Sequence, residues 1–124
     1  MTRRPPNILL VVADQLSASA LPAHGNPVVQ APALTALGAA GTVFDAAYCA
    51  SPLCAPARAA MLTGQLPSQT GVYDNASELP AGHPTIAHLL RGAGYGTAIA
   101  GKMHFIGPDQ LHGFERRLTT DVYP

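Results

Sequence analysis

The apolar run at residues 8–13 constrains the fold of this chain more than any other stretch. Its residues are Ile, Leu, Val and Ala without a polar interruption, and Asp14 follows at once. Continuous runs of this kind are typical of strands that are buried on both faces of a parallel sheet, whereas half-exposed strands alternate apolar and polar residues. The run therefore predicts a central strand with Asp14 at its carboxyl end.

Helical and strand-like patterns alternate along the rest of the chain. Apolar residues recur at helical spacing in three segments, and two further short runs are rich in residues that favour strands. The predicted helices cover residues 32–40, 57–63 and 84–91, and the two further predicted strands cover residues 42–48 and 97–101. Strands that alternate with helices of about ten residues indicate crossover connections. The sequence thus predicts an α/β fold with a mainly parallel sheet flanked by helices.

The length and composition fit one partial domain. The chain has 124 residues, of which 48% are hydrophobic and 11% are charged, as in globular proteins. Three strands are few for an open α/β sheet, whose edges need cover or a partner. The last residues, 119–124, do not complete a recognisable structural element. We therefore expect a single partial domain over residues 1–124, which either is a fragment of a longer fold or pairs with another copy.

Charge and cysteine content exclude several functions. Seven basic and seven acidic residues leave a net charge of zero, which gives no electrostatic footprint for nucleic acid or an anionic membrane. The run at residues 8–13 is too short for a signal peptide or a membrane span. Cys49 and Cys54 are too few for a disulfide framework. We expect a cytoplasmic protein that binds neither nucleic acid nor a membrane.

A restrictive pattern surrounds Cys54, because Pro56 follows two residues on and Arg58 four residues on. At average abundances, only about one cysteine in 400 has both neighbours by chance. Pro56 is suited to the first turn of a helix, whose amide groups and positive dipole end favour an anion. Arg58 would lie one helical turn from Cys54 and close to it. The plain alternative is a half-buried thiol before an ordinary helix with a surface arginine.

Polar residues also follow two of the predicted strands. Asp14 follows the first strand, where the ligand sites of open α/β sheets gather, and its carboxylate suits a hard cation. Lys102 and His104 follow the third strand, and residues two apart in an extended segment point to the same side. The plain alternatives are a turn-capping aspartate and two surface residues. No zinc-site spacing relates the other histidines, which we expect to be structural or exposed: His24, His83, His88 and His112.

The stretch from Cys54 to Arg58, followed by Thr63 and Gly64, resembles the signature of the sulfatase family. The resemblance covers essentially the whole chain and implies the amino-terminal portion of an alkaline-phosphatase-like fold. It implies that a formylglycine-generating maturation enzyme oxidises Cys54 to formylglycine, the family's nucleophile. It also implies a divalent metal, Ca²⁺ first with Mg²⁺ or Mn²⁺ as alternatives, held by Asp14 and by residue 54. Family members often carry a second acidic residue beside the first, and Gln15 stands there in this chain.

The same resemblance assigns roles to the other candidate site residues. In the family mechanism the hydrated aldehyde attacks the sulfur of a sulfate ester and expels the alcohol, and its second hydroxyl then eliminates sulfate. Lys102 is expected to contact the sulfate. His104 is expected to contact the formylglycine hydroxyl and to act as the base of the elimination step. Arg58 completes the expected catalytic set.

Within the family the chain is most similar to the choline sulfatases, above all at residues 101–114. The resemblance implies a hydrolase that releases sulfate from a small sulfate ester, choline sulfate first, with a homo-oligomer as an open possibility. A further pair of metal ligands would have to come from outside these residues, so we expect the 124-residue chain alone to be inactive. Two alternatives stay open: a phosphonate or phosphate ester hydrolase of the same superfamily, and a non-catalytic truncated α/β domain.

Overall fold

The computed structural model of the chain describes residues 5–119 and divides into two compact units. The first unit runs up to Ala47 and the second begins at Tyr48. Residues 120–124 lie outside the described residues. They belong to the final stretch that was predicted to complete no structural element. The prediction of one partial domain is not tested by this division and stays a prediction.

The first unit contains two 3₁₀ turns, Ala18–Ala20 and Pro22–His24, and helix α1, Pro32–Ala40. The helix has the predicted bounds, because Pro32 stands in its first turn, where a missing amide hydrogen costs nothing. Asn26 organises the segment before the helix: its Oδ1 accepts from the amides of Val28 and Val29, each at 2.9 Å. The predicted helix is therefore confirmed, although none of its residues is buried.

Two predicted strands are absent from the described part of the chain. Residues 8–13 and 42–48 form no strand, and the first run lies open, with Leu9 87% and Val11 80% exposed. A strand is defined by its hydrogen-bonded neighbour and not by its side chains alone. Among residues 5–119, no strand pairs with either run. The prediction of strands at 8–13 and 42–48 was therefore wrong for these residues.

The second unit contains helices α2, Cys54–Thr63, α3, Pro67–Thr70, and α4, Ile86–Gly92. It also contains strands β1, Ala98–Ile99, and β2, Arg116–Arg117, which pair in parallel. Strand β1 confirms the middle of the predicted strand at 97–101. The described sheet has two strands, so the α/β class is confirmed with a smaller sheet than predicted. The connection between β1 and β2 is an irregular loop.

Helix α2 begins three residues earlier than predicted, at Cys54, and ends where expected. Its start is stabilised by Asn75, whose side-chain oxygen Oδ1 accepts from the Ala55 amide at 3.0 Å. Gly64 ends the helix in a left-handed conformation with φ 68°, the backbone that glycine adopts without strain. Helix α4 begins after Thr85, whose amide donates to Nδ1 of His88 at 3.1 Å.

The core of the second unit surrounds helix α2. One buried cluster joins Ala55 and Ala59 of the helix to Val72 and Leu79 of the following loop. A second cluster joins Leu62 to Met103 and Phe105. The residue 102–104 segment is therefore packed directly against the helix that begins at Cys54. Across residues 5–119, no helix combines the length and apolar character needed to cross a bilayer.

Candidate active site

Cys54 and Lys102 meet at the start of helix α2. Cys54 is the first helical residue and is half-buried. The Nζ atom of Lys102, 48 residues along the chain, lies 3.5 Å from its Sγ atom. An ammonium group at this distance attracts an anionic group that lies beside the residue 54 side chain. The structure thus brings together two residues that the sequence could only place at separate ends of predicted elements.

Arg58 connects the helix to the same segment. Its Nε atom donates to the backbone carbonyl of Lys102 at 3.1 Å. Arg58 lies one turn after Cys54, so the two side chains leave the same face of α2. The arginine therefore fixes the backbone that carries the Lys102 ammonium group. Its position agrees with the predicted grouping of Arg58 with Cys54 and Lys102.

His104 has an unusual backbone and a defined ring orientation. Its φ is 57°, in the left-handed region that non-glycine residues seldom occupy. Its Nε2 atom lies 2.9 Å from the backbone oxygen of Asn75. A carbonyl oxygen only accepts hydrogen bonds, so Nε2 carries the hydrogen and Nδ1 of the neutral ring carries the lone pair. The sequence predicted His104 at this site but gave no indication of the strain or of the ring orientation.

Asn75 is the site residue that sequence reasoning missed. Its side chain holds the Ala55 amide at the start of α2, and its backbone oxygen holds the His104 ring. We expected the helix amides to be open to an anion, but the Ala55 amide is already engaged. Asn75 lies in an ordinary polar turn, and no local pattern distinguishes it from other turn asparagines.

The turn that carries Asn75 is fixed by its neighbour Asp74. One carboxylate oxygen of Asp74 accepts from the Ala76 amide at 2.9 Å and from the Ser77 hydroxyl at 2.7 Å. The Ser77 hydroxyl and the Ala76 amide lower the pKa of Asp74 below its usual value. The carboxylate therefore stays ionised and bonded to its turn at neutral pH, which keeps Asn75 in place.

The loop of residues 105–113, here called the supporting loop, follows the residue 102–104 segment and is held by several contacts of its own. The His112 side chain is 0% exposed, and its ring meets that of Phe105 edge-on with centroids 4.4 Å apart. Burial lowers the pKa of His112, although Asp109, 3.5 Å from its Nδ1, opposes this effect. Burial tends to raise the pKa of Asp109, but the amides of His112 and Leu111 outweigh it and lower that pKa. His112 is thus structural, as predicted.

Asp14 belongs to the first unit, where it is exposed and begins a turn with Gln15, whose φ is 60°. A single carboxylate is one ligand at most of the six or more oxygens that a hard cation needs. Across residues 5–119, no three His, Cys, Asp or Glu side chains gather closely enough to hold a metal ion. The described donors do not form a complete metal site by themselves.

The fold and the grouped residues define a member of the sulfatase family. The family model for sulfatases matches residues 6–120, so the chain belongs to that family. Its structural neighbours include sulfatases of the alkaline-phosphatase-like superfamily, which confirms the predicted fold class. The individual roles of Cys54, Arg58, Lys102, His104 and Asp14 stay predictions.

Three relatives show the extent of the similarity. The choline-sulfatase of Rhizobium meliloti (strain 1021) is 56% identical over 124 residues, which are 100% of this chain and 24% of that protein. The structure of BT4656 in complex with its substrate D-glucosamine-2-N,6-O-disulfate has a TM-score of 0.75 and 35% identity, covering 81% of this chain and 20% of the other. The phosphonate monoester hydrolase of Agrobacterium radiobacter has a TM-score of 0.77 and 28% identity, covering 93% of this chain and 26% of the other. The chain thus spans about a quarter of the length of the relatives it matches.

Proposed function

We propose that the protein is a sulfuric ester hydrolase whose nucleophile is formylglycine, made from Cys54 by a formylglycine-generating maturation enzyme. The observation that carries the proposal is the 3.5 Å approach of the Lys102 Nζ atom to the Cys54 Sγ atom. The approach occurs within a Cys-x-Pro-x-Arg motif at a helix start, in a chain that belongs to the sulfatase family. A cation beside the modified residue attracts an anionic sulfate ester and stabilises negative charge that develops during the reaction.

The residues around position 54 have separate roles in sulfate binding and in proton transfer. The aldehyde of the modified residue adds water to form a gem-diol, and one of its hydroxyls attacks the sulfur atom and displaces the alcohol. The second hydroxyl then loses its proton, which eliminates sulfate and restores the aldehyde. The Lys102 ammonium group attracts the sulfate oxygens and stabilises the charge that develops on them. Arg58 adds positive charge and holds the Lys102 carbonyl, which keeps that ammonium group in position. His104 keeps its Nε2 hydrogen on the Asn75 carbonyl, so its Nδ1 lone pair is the proton acceptor.

Choline sulfate is the substrate that we propose first. The support is the 56% identity to the choline-sulfatase of Rhizobium meliloti over all 124 residues. A quaternary ammonium group is usually held by aromatic faces. The sulfate-handling residues that we propose lie in the second unit, and the groups that recognise the alcohol are not assigned to this chain.

We also propose a hard divalent cation in the active protein, with Ca²⁺ preferred and Mg²⁺ or Mn²⁺ as alternatives. We propose Asp14 as one of its ligands and residue 54 as another. Chelation of the purified protein followed by addition of each ion separately tests this choice. Recovery of sulfate release with Ca²⁺ alone would support it, and full activity after exhaustive chelation would contradict it.

We further propose that the protein acts in the cytoplasm. Cell fractionation tests this statement, and a periplasmic or secreted protein would contradict it. A homo-oligomer of the full-length protein stays an open possibility, which light scattering of the purified protein tests.

The decisive experiment co-expresses the natural full-length protein with a formylglycine-generating enzyme. Mass spectrometry of the peptide that contains residue 54 measures conversion, and sulfate release from choline sulfate measures activity. The matched control is Cys54→Ala, which cannot be converted. We expect conversion and sulfate release in the natural protein only. A converted protein that releases no sulfate from any ester would refute the proposal.

A phosphonate or phosphate ester hydrolase is the second candidate, supported by the TM-score of 0.77 to the phosphonate monoester hydrolase. Sulfate and phosphonate monoesters both present a tetrahedral, anionic centre to the same cations. The ratio of kcat/KM values on choline sulfate and on a phosphonate monoester decides between the two. An unmodified thiol at residue 54 after co-expression would instead favour the non-catalytic alternative.

The chain of 124 residues is proposed to be inactive when produced alone. It spans about a quarter of the length of its relatives, and its described residues do not assemble a complete metal site. The purified chain, after co-expression with the maturation enzyme, should release no sulfate from choline sulfate. Turnover by this chain would contradict the expectation.

A further inference from the structure

The backbone of His104 must be held in place by its surroundings. Its φ of 57° is unfavourable for a side chain with a Cβ atom, and such strain persists only where neighbouring contacts impose it. The residues on both sides are buried: Met103 and Phe105 pack against Leu62 of helix α2. Packing of these two side chains restrains the segment, and a polar contact to the backbone beyond His104 restrains it further.

Gln110 supplies that polar contact. Its Nε2 atom donates to the carbonyl of Phe105 at 3.0 Å and to the carbonyl of Gly107 at 2.8 Å. These two bonds close the loop directly after His104. They also require that the amide nitrogen, and not the oxygen, faces the loop carbonyls.

Arg117 of strand β2 holds Gln110 in this orientation. Its NH1 atom donates to the Oε1 atom of Gln110 and, at 3.2 Å, to the Gln110 backbone oxygen. A guanidinium group only donates, so it keeps Oε1 on its own side and turns Nε2 toward the loop. The same guanidinium lies 5.3 Å from the centroid of the Phe105 ring, within cation–π range. Its Nε atom donates to the Thr119 carbonyl at 3.0 Å, which anchors it to the end of the strand.

We propose that Arg117 is a positioning residue for His104, which it orients through Gln110 and Phe105 without contacting the substrate. The proposal rests on the proposed function, since it takes His104 as the proton acceptor of that reaction. Planar, two-point bonding combined with stacking is a role that lysine does not fill. A small displacement of His104 would misalign the proton transfer while leaving the Lys102 contact with the sulfate largely intact.

Arg116 offers a matched control because it precedes Arg117 in the same strand. Successive strand residues point to opposite faces, and Arg116 is exposed whereas Arg117 is half-buried. Replacing either residue removes one positive charge and the same number of atoms. Only the Arg117 replacement removes the bonds to Gln110 and the contact with Phe105.

The kinetic test uses the matured full-length protein and choline sulfate. We expect Arg117→Ala to lower kcat roughly 10- to 100-fold with little change in KM, because misplacement of a catalytic group by about 1 Å has effects of this size. Arg116→Ala should leave both constants unchanged. Gln110→Ala should reproduce the kcat loss, and the double variant should be little worse than the single ones, because the two residues act in one chain of contacts. Arg117→Lys should recover only part of the kcat.

A second measurement does not depend on activity. The ring signals of His104, labelled with ¹⁵N and identified by their loss in His104→Gln, report the environment of both ring nitrogens. We expect them to shift in Arg117→Ala and Gln110→Ala and to remain in place in Arg116→Ala. Unchanged His104 signals and an unchanged kcat in a folded Arg117→Ala or Gln110→Ala variant would overturn the proposal. If the unsubstituted protein releases no sulfate, the proposed function fails, and the ring signals alone decide the positioning role.

Discussion

Lys102 is the single lysine among the seven basic residues of the chain. Its position beside Cys54 is supported by the hydrogen bond from Arg58 to its carbonyl and by the burial of the adjacent Met103. A flexible, exposed lysine loses much side-chain entropy when it is ordered, so a fixed backbone reduces that cost at the site. Substitution of Lys102 therefore tests the proposed catalytic role separately from the maturation of Cys54.

We predict that Lys102→Ala leaves conversion of Cys54 intact and lowers kcat by about 100- to 1,000-fold, the usual effect of removing one electrostatic stabiliser. Conversion depends on the motif around Cys54, which the substitution leaves unchanged. The residue 54 peptide is weighed by mass spectrometry, and sulfate release is measured on the same sample. Lys102→Arg, which keeps the charge, serves as the control and should retain more activity. Full activity of Lys102→Ala would exclude the proposed role.

Short local patterns mark Cys54, Arg58, Lys102 and His104 as candidate site residues, and the structure brings Lys102 to both Cys54 and Arg58. Asn75 could not be predicted, because its importance comes from contacts with Ala55, 20 residues away, and with His104, 29 residues away. The left-handed backbone of His104 could not be predicted from the sequence either, because it depends on the packing of the residues on both sides. Local patterns therefore predicted the chemical groups of the site, and the contacts that orient them required the structure.

At the scale of single elements, the start of helix α2 depends on a side chain outside the helix. Its N-cap, Leu53, has no side-chain oxygen, so the Ala55 amide is satisfied by the Oδ1 atom of Asn75. Ala55 is buried, and an unsatisfied amide there would be costly. The position of Cys54 in the first turn therefore depends on Asn75.

We predict different outcomes for two replacements of Asn75. Asn75→Ala removes the acceptor and should lower the free energy of unfolding by about 1–3 kcal/mol. Asn75→Asp keeps an acceptor, so stability should be retained, but its charge would repel the sulfate ester and raise KM. Urea unfolding measures the first effect and steady-state kinetics the second. Equal stability of the Ala and Asp variants would contradict the capping role.

The packing of helix α4 against the supporting loop requires a glycine at position 113. Gly113 has φ 93°, and a Cβ atom there would lie 2.5 Å from the Nδ1 atom of His88. We predict that Gly113→Ala lowers the free energy of unfolding by about 1–3 kcal/mol, because backbone strain and a steric clash act together. Gly82→Ala, whose added Cβ atom meets no other atom within 4 Å, is the control. A similar thermal unfolding midpoint for both variants would contradict this argument.

The predicted elements differ in how far they depend on distant partners. Helix α1 was predicted with its observed bounds because its hydrogen bonds are internal and Pro32 marks its start. The runs at 8–13 and 42–48 have strand-like composition, but a strand needs a neighbour from elsewhere in the chain. Among the described residues, only strands β1 and β2 pair with a neighbouring strand. Helices are thus predictable from local sequence, and strands only as candidates.

At the scale of the whole molecule, buried ionisable groups link stability to pH. His112 is fully buried, and burial lowers its pKa below the ordinary value of about 6.5 despite Asp109 and Glu78. Below that pH the unfolded chain takes up a proton at this histidine before the folded protein does. The free energy of unfolding must therefore fall as the pH drops below about 6.5, until the folded protein also binds the proton. Asp109 has a lowered pKa, so its own contribution is lost only at more acidic pH, below about 4.

We predict that replacing His112 removes part of this pH dependence. The free energy of unfolding of the full-length protein and of His112→Gln is measured in urea at several values between about pH 7.5 and pH 5, across the ordinary histidine pKa. His112→Gln should be less stable at neutral pH, because a buried, closely packed ring is lost, but its stability should fall less steeply toward pH 5. His83→Gln, at a half-buried histidine outside the supporting loop, should keep the steep fall of the natural protein. If the natural protein and His112→Gln lost stability in parallel, protonation of His112 would play no part in the acid sensitivity, and the buried ring would contribute only through its packing against Phe105.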